Sequence, residues 1–388
     1  MSLHTARRTH GYTESVIRMM TRLANEHGAI NLSQGFPNFP CHDTLKIGAA
    51  RAIYDDVNQY AVTWGAKRYR DALAEKYGEW YGMDVDPDTN LTITCGATEA
   101  CVAVLMAIVD PGDEVIVLEP FYENYGPDTV LCAARPVFVK VADDWSVDFD
   151  ALRAAFSSNT RAIVINTPNN PTGHVFTRAE LEGIAALCTE FDAYAVTDEV
   201  YEHITFDGAT HIPMATLPGM RDRTITISSA SKTFAVTGWR LGTIVAHPEV
   251  SDAIRKVHDF LTVGAAAPLQ EGVAAGLEML PESYYEGLSD LYLAKRELFY
   301  PALVEAGFNC APPTGAYYIL ADFSDLSDLP DDQFALWLTR EIGVTPVPGS
   351  SFFSDPADGR RLVRWAFCKT EELLEQAVER LLKIRSIV

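Results

Sequence analysis

From residue 90 onward the chain alternates short apolar, β-branched runs with stretches of helical spacing. The runs fall at residues 91–94, 115–118, 136–139, 162–165, 194–197, 224–227 and 242–246. Little polar alternation interrupts them, which is the mark of strands covered on both faces. Buried strands separated by helices predict a mainly parallel, seven-stranded sheet flanked by helices. Earlier in the chain, Val16, Ile17, Met20, Leu23 and Ala24 recur at helical spacing between Thr13 and Gly28. This predicts one capped amphipathic helix ahead of the loop Gln34-Gly35-Phe36-Pro37-Asn38-Phe39-Pro40. After residue 281 the pattern changes to a long helix reaching about Ala306. Strands at 316–321 and 362–365 and a final helix over 371–384 follow.

The chain has 388 residues, more than the ~250 to 300 at which single cores stop growing. Two α/β domains are therefore expected: a large one over 45–285, and a smaller one combining 1–44 with 286–388. The formal charge of −22, from 31 basic and 53 acidic side chains, argues against nucleic acid or an anionic membrane surface as partner. Any anionic ligand must be bound by a few placed cations. The seven cysteines are scattered without C-x-x-C spacing, which predicts reduced thiols and no metal site. No apolar stretch is long enough for a signal or membrane segment, so a cytoplasmic protein is expected. Neither G-x-G-x-x-G after a strand nor a P-loop occurs, and dinucleotide and nucleotide-phosphate readings lose their main support.

Candidate chemistry clusters at the ends of the predicted strands, where open α/β sheets bind ligands. In the run from Ser228 to Arg240, the Ser229 hydroxyl, the Lys232 amine and the Arg240 guanidinium would converge if the segment were a tight loop between strands. A lysine becomes a nucleophile when a nearby cation and an apolar wall lower its pKa. Arg240 offers the cation; Phe234, Val236 and Trp239 offer the wall. A surface loop with one Lys and one Arg is the plainer alternative. Gly96-Ala97-Thr98 ends the first strand and opens a helix, so its amides face an anion or simply make a turn. Asn166 through Gly173 carries two prolines and cannot be helical; an Asn fixed there can donate to an oxyanion. Asp198 ends an apolar strand, where a carboxylate needs a cationic partner unless it caps the next helix. At ~4 Å and an effective dielectric of 20, such a partner is worth roughly 4 kcal/mol. Arg364 sits in the otherwise apolar run Leu362 to Phe367, paired with an internal acid or with a substrate carboxylate.

Taken in order, Gln34-Gly35-Phe36-Pro37, Asn58-Gln59-Tyr60, Gly96-Ala97-Thr98, Asn169-Asn170-Pro171, Asp198-Glu199-Val200-Tyr201, Ser229 through Arg240 and Arg364 resemble the class I/II aminotransferases. These are pyridoxal 5'-phosphate (PLP) enzymes of fold type I. The resemblance spans nearly the whole chain and is greatest to the kynurenine, glutamine and methionine aminotransferase branch, through Gln34 to Pro40 and Glu119-Pro120-Phe121-Tyr122-Glu123. It implies that Lys232 holds PLP covalently and shuttles the substrate α-proton. It also implies that Asp198 keeps the pyridine nitrogen protonated, so that the ring acts as an electron sink. Asn170 and Tyr201 would bond the ring's phenolate oxygen, and Tyr122 would stack on the ring. Ser229, Arg240 and the amides after Gly96, those of Ala97 and Thr98, would hold the phosphate. Tyr60 would reach the phosphate of the other subunit, which makes a homodimer with shared active sites the expected unit. Arg364, the backbone near Gly35 and Asn170 would take the substrate α-carboxylate.

The sequence departs from the mammalian kynurenine enzymes at Val263 to Pro268, where small residues replace an aromatic and a histidine. Ile17 likewise replaces a tryptophan of their pocket. Both changes imply a wider side-chain pocket. No second arginine motif for a distal carboxylate is evident. Neutral donors such as methionine, glutamine or an aromatic amino acid, with a 2-oxo acid as acceptor, are therefore expected ahead of aspartate or N-succinyldiaminopimelate. A PLP-dependent β-lyase acting on cystathionine or cysteine conjugates shares the same motifs.

Overall fold

The computed structural model describes residues 4–9 and 14–387. Its strands are β1 (Ile30–Asn31), β2 (Leu91–Thr94), β3 (Glu114–Glu119), β4 (Arg135–Lys140), β5 (Thr160–Asn166), β6 (Tyr194–Asp198), β7 (Thr224–Ser229), β8 (Gly242–Val245), β9 (Tyr318–Asp322), β10 (Val344–Thr345), β11 (Val347–Pro348) and β12 (Leu362–Ala366). The seven apolar runs form one sheet in the order β2-β8-β7-β6-β5-β3-β4. Strands β3 to β7 pair in parallel, while β8 runs antiparallel to β7 and β2. Pro136 is accommodated because β4 is an edge strand, with β3 as its only neighbour. Inside the sheet, Ser229 at the end of β7 pairs with Gly242 at the start of β8. The twelve residues between them form a closed loop, and that loop carries Lys232 and Arg240.

A second unit holds the antiparallel sheet β11-β12-β9 and the parallel pair β1-β10. Its core packs Trp365 and Phe367 against Tyr292 and Phe299 of the 25-residue helix Glu282–Ala306. Met20, Ile30 and Leu32 join the same cluster, so the N-terminal helix packs with this unit. Separate apolar clusters line the two faces of the large sheet.

Some predicted boundaries move for identifiable reasons. The first helix is Val16–His27, and its cap is Ser15, whose hydroxyl accepts the Arg18 N–H at 3.4 Å; the expected cap Thr13 lies outside the described residues. Gly28 ends that helix at φ +61°, as a left-handed cap requires. The strand expected at 316 starts at Tyr318, because Ala316 has φ +55°, which an extended strand cannot include. The last helix stops at Leu381, with a 3-10 turn over Ile384–Ser386. All seven cysteines are unpaired. Among the described residues no helix is long and apolar enough to cross a membrane.

Candidate active site

Three neighbouring strands end side by side: β5 at Asn166, β6 at Asp198 and β7 at Ser229. Above these ends lies a cavity of about 390 Å³. Ile17, Gly35, Ala97, Thr98, Tyr122, Asn170, Asp198, Tyr201, Ser229, Lys232, Arg240 and Arg364 all line it. Asp198 is buried beneath, and one of its oxygens accepts the Tyr125 hydroxyl at 2.7 Å. Burial raises its pKa, while the Tyr125 bond opposes the shift. Asn166 donates to the Asp198 carbonyl at 2.9 Å and accepts the Asn170 N–H at 2.7 Å. One side chain thereby fixes Asn170 relative to the strand that bears Asp198.

Lys232 sits on the single helical turn Ala230–Thr233. That turn aims the lysine into the cavity and sends Phe234 and Val236 the other way, into the core of the large unit. The desolvating wall anticipated from Phe234, Val236 and Trp239 is supplied instead by Tyr201 and Tyr317. Their ring centres lie 5.6 and 5.7 Å from the amine. Burial is the main cause that lowers the Lys232 pKa to about 8, and Arg240 and Arg364 add smaller repulsions. The amine donates to the Gly35 carbonyl at 3.0 Å.

Gly96 lies behind the cavity at φ +86°, just ahead of the helix Ala97–Ile108. A Cβ at Gly96 would fall 2.2 Å from a terminal nitrogen of Arg240, and one at Gly242 would fall 2.7 Å from the Ala97 nitrogen. Both glycines are therefore required for the guanidinium to sit against the start of this helix. Among the described residues Arg240 donates only to the Thr237 carbonyl, at 3.0 Å. A cation, a helix N-terminus and the Ser229 hydroxyl together suit a phosphate ester.

Arg364 is 1% exposed on β12. It donates to the Asn170 side-chain oxygen at 2.8 Å and to the Ser33 carbonyl at 2.5 Å. Its guanidinium lies over the rings of Tyr318 and Phe352, at 4.5 and 5.0 Å. The third nitrogen, Nε, has no partner, and among the described residues no carboxylate pairs with this arginine. Gly35 also lines the cavity, close to Tyr318; a Cβ there would meet the Tyr318 hydroxyl at 1.9 Å.

Tyr60 is not among the residues lining the cavity; it is 84% exposed. Several residues that sequence reasoning missed are part of the site. Tyr125, the first residue of the helix Tyr125–Leu131, holds Asp198 and lies one turn after Tyr122, whose carbonyl accepts its N–H at 3.2 Å. Tyr318 bonds the Tyr201 hydroxyl at 3.0 Å. Lys369 clamps the Gln34 and Phe36 carbonyls at 2.9 and 2.8 Å, which fixes the Gly35 loop. Arg18 also lines the cavity, so a third arginine, beside Arg240 and Arg364, is present there on the first helix.

The model of the family "Aminotransferase class I and II" matches residues 27–381. The chain is 38% identical over 370 residues to a methionine aminotransferase of Escherichia coli, covering 95% of each chain. It is 37% identical to a probable N-succinyldiaminopimelate aminotransferase of Mycobacterium tuberculosis, covering 97% of this chain and 98% of that one. It is 35% identical to human kynurenine–oxoglutarate transaminase 1, covering 97% of both. The solved structure of N-succinyldiaminopimelate aminotransferase from Mycobacterium tuberculosis superposes with a TM-score of 0.95, covering 98% of this chain and all of the other. The chain belongs to the class I and II aminotransferases, PLP-dependent transaminases of fold type I.

Proposed function

We propose that this transaminase moves the amino group of a neutral amino acid, sulfur-containing or aromatic, such as methionine, glutamine or kynurenine, to a 2-oxo acid in two half-reactions, with Lys232 at its centre. The residues at the strand ends fit PLP: a buried acid, a glycine-backed cation at a helix N-terminus, and a lysine whose pKa burial lowers to about 8. When bound, PLP supplies an electron-withdrawing ring that stabilises charge left at the substrate α-carbon.

In this reading Lys232 would hold the cofactor covalently, and its amine, when free, would carry the proton to and from the substrate α-carbon. Asp198, oriented by Tyr125, keeps a proton on the ring nitrogen. Asn170 and Tyr201 offer donors to the ring oxygen, and Tyr122 packs against the ring face. Ser229, Arg240 and the amides of Ala97 and Thr98 grip the phosphate. Tyr60, exposed here, reaches the phosphate of a second copy, and the exposed apolar residues Ile47, Ile53, Tyr54, Phe260 and Met279 would be covered in that dimer. We divide the chain at residues 45 and 285, because Leu45 and Tyr285 pack with the large unit.

The observation that carries the substrate half is Arg364. A buried guanidinium matched only by neutral acceptors gains most from a carboxylate, which it can grip bidentately. Ile17, Phe36, Tyr122 and Tyr318 form an apolar wall beside it, suited to a neutral side chain. Relatives named for methionine and kynurenine support that class. A panel of single amino acids tests it: initial rates should be highest for neutral donors, and a maximum for aspartate would overturn the preference.

A further inference from the structure

The cavity is lined by four basic side chains, Arg18, Lys232, Arg240 and Arg364, and by one carboxylate, Asp198. This excess of positive charge stands in a chain of net charge −22. The proposed function uses all but one of these groups. Arg240 serves the phosphate, Lys232 is consumed in the covalent link, Asp198 faces the ring nitrogen, and Arg364 takes the α-carboxylate. Arg18 remains without a task.

The position of Arg18 is fixed although its side chain is not. Its helix is tied on one side to the loop that carries Tyr122, through the Ser15 hydroxyl, which donates to Glu123 at 2.5 Å. On the other side the Thr21 hydroxyl donates to Gln34 at 2.6 Å, next to Gly35. The first helical turn therefore sits across the cavity mouth, with Ile17 and Arg18 both on its wall. Glu14, the acid that acts on Arg18 through space, is already held by both terminal nitrogens of Arg22. Among the described residues no side chain or carbonyl hydrogen-bonds the Arg18 guanidinium.

We propose that Arg18 is a specificity-determining residue that receives the second carboxylate of a 2-oxo diacid acceptor, or of an amino acid with an acidic side chain. The proposal rests on the aminotransferase reading and adds a substrate class to it. Arg364 grips the carboxylate next to the reacting carbon, and Arg18 grips the one at the far end of the molecule. Because the Arg18 side chain is exposed and its guanidinium hydrogen-bonds none of the described residues, it can stay in water when a neutral side chain occupies the pocket. One cavity then accepts a neutral donor in one half-reaction and a diacid in the other. Its attraction is that of a solvent-facing charge and should weaken as salt rises.

The test compares 2-oxoglutarate with 2-oxopentanoate as acceptors, using methionine as donor, for the wild-type holoenzyme, Arg18→Gln and Arg18→Lys. In Arg18→Gln, kcat/KM for the diacid should fall about tenfold while that for the monoacid stays within about twofold. Lysine should restore part of the loss. Equal changes for both acceptors, or no change for either, would overturn the role. Calorimetric binding of glutarate and pentanoate, which cannot react, judges Arg18 even if methionine proves a poor donor. Wild type should favour glutarate and Arg18→Gln should lose that preference; no preference in wild type would sink the proposal while leaving the transaminase reading intact.

Discussion

The floor of the cavity and its outer wall treat buried charge in opposite ways. On the floor and just behind it, carboxylates come with protein partners. Asp198 has Tyr125. Glu199 has His211 at 3.0 Å and Thr197 at 2.8 Å. Glu202 has Lys76 at 2.6 Å, Tyr81 at 2.6 Å and Ser228 at 2.9 Å. On the wall, Arg364 is equally buried but meets only neutral acceptors, and the exposed Arg18 guanidinium hydrogen-bonds none among the described residues. A resident cofactor needs a rigid bed whose charges are settled before it arrives. A substrate that enters and leaves needs cations whose matching charge it brings with it. The same distinction follows the architecture: the floor carboxylates lie at or just after the end of β6 in the large sheet, while wall residues sit on β12 and the first helix.

Four changes would break or sharpen this contrast. Lys232→Ala should reduce transamination by at least about a thousandfold, measured as 2-oxo acid formed, while phosphate and ring contacts still bind PLP noncovalently in equilibrium dialysis. Substantial residual turnover would refute its role. Lys76→Met leaves Glu202 buried without its cation, so folding stability should fall by about 3 to 5 kcal/mol, read from denaturant midpoints. A silent outcome would mean the floor is not held by its ion pairs.

Arg364→Ala should do the reverse. We expect kcat/KM to drop roughly ten- to a hundredfold for donor and acceptor alike, with little loss of stability, because no internal carboxylate is orphaned. Unchanged kinetics for every substrate would make Arg364 structural. The smallest effect is in pH. With its pKa lowered to about 8, Lys232 is protonated below that value and neutral above it. Covalent capture of PLP by cofactor-free protein should therefore rise through about pH 8 and level off. A rise delayed towards the ordinary lysine value of 10.5 would contradict the desolvated site.

Much of the floor was legible because strand ends are read from local pattern. Asp198 and Ser229 are the last residues of β6 and β7, and each apolar run before them pointed to its place. The Lys232 loop was legible in its reactive groups but misread in its wall, since one helical turn reverses which side chains face inward. The outer site was harder to see. Arg364 stood out as a charge in an apolar strand, yet its partners Ser33 and Asn170 lie 331 and 194 residues away in sequence. Arg18 carried no local signal at all. It looks like any polar residue of an amphipathic helix until packing sets that helix across the cavity. Long-range placement, unlike period or turn chemistry, is not written in a window of neighbouring residues.

The most direct test of the central claim is a single half-reaction: purified holoenzyme mixed with a neutral amino acid and no acceptor. The account predicts one equivalent of the matching 2-oxo acid per subunit, loss of the visible cofactor band, no free ammonia, and recovery of the band when 2-oxoglutarate is added. Continuous release of ammonia and a 2-oxo acid without any acceptor would contradict it.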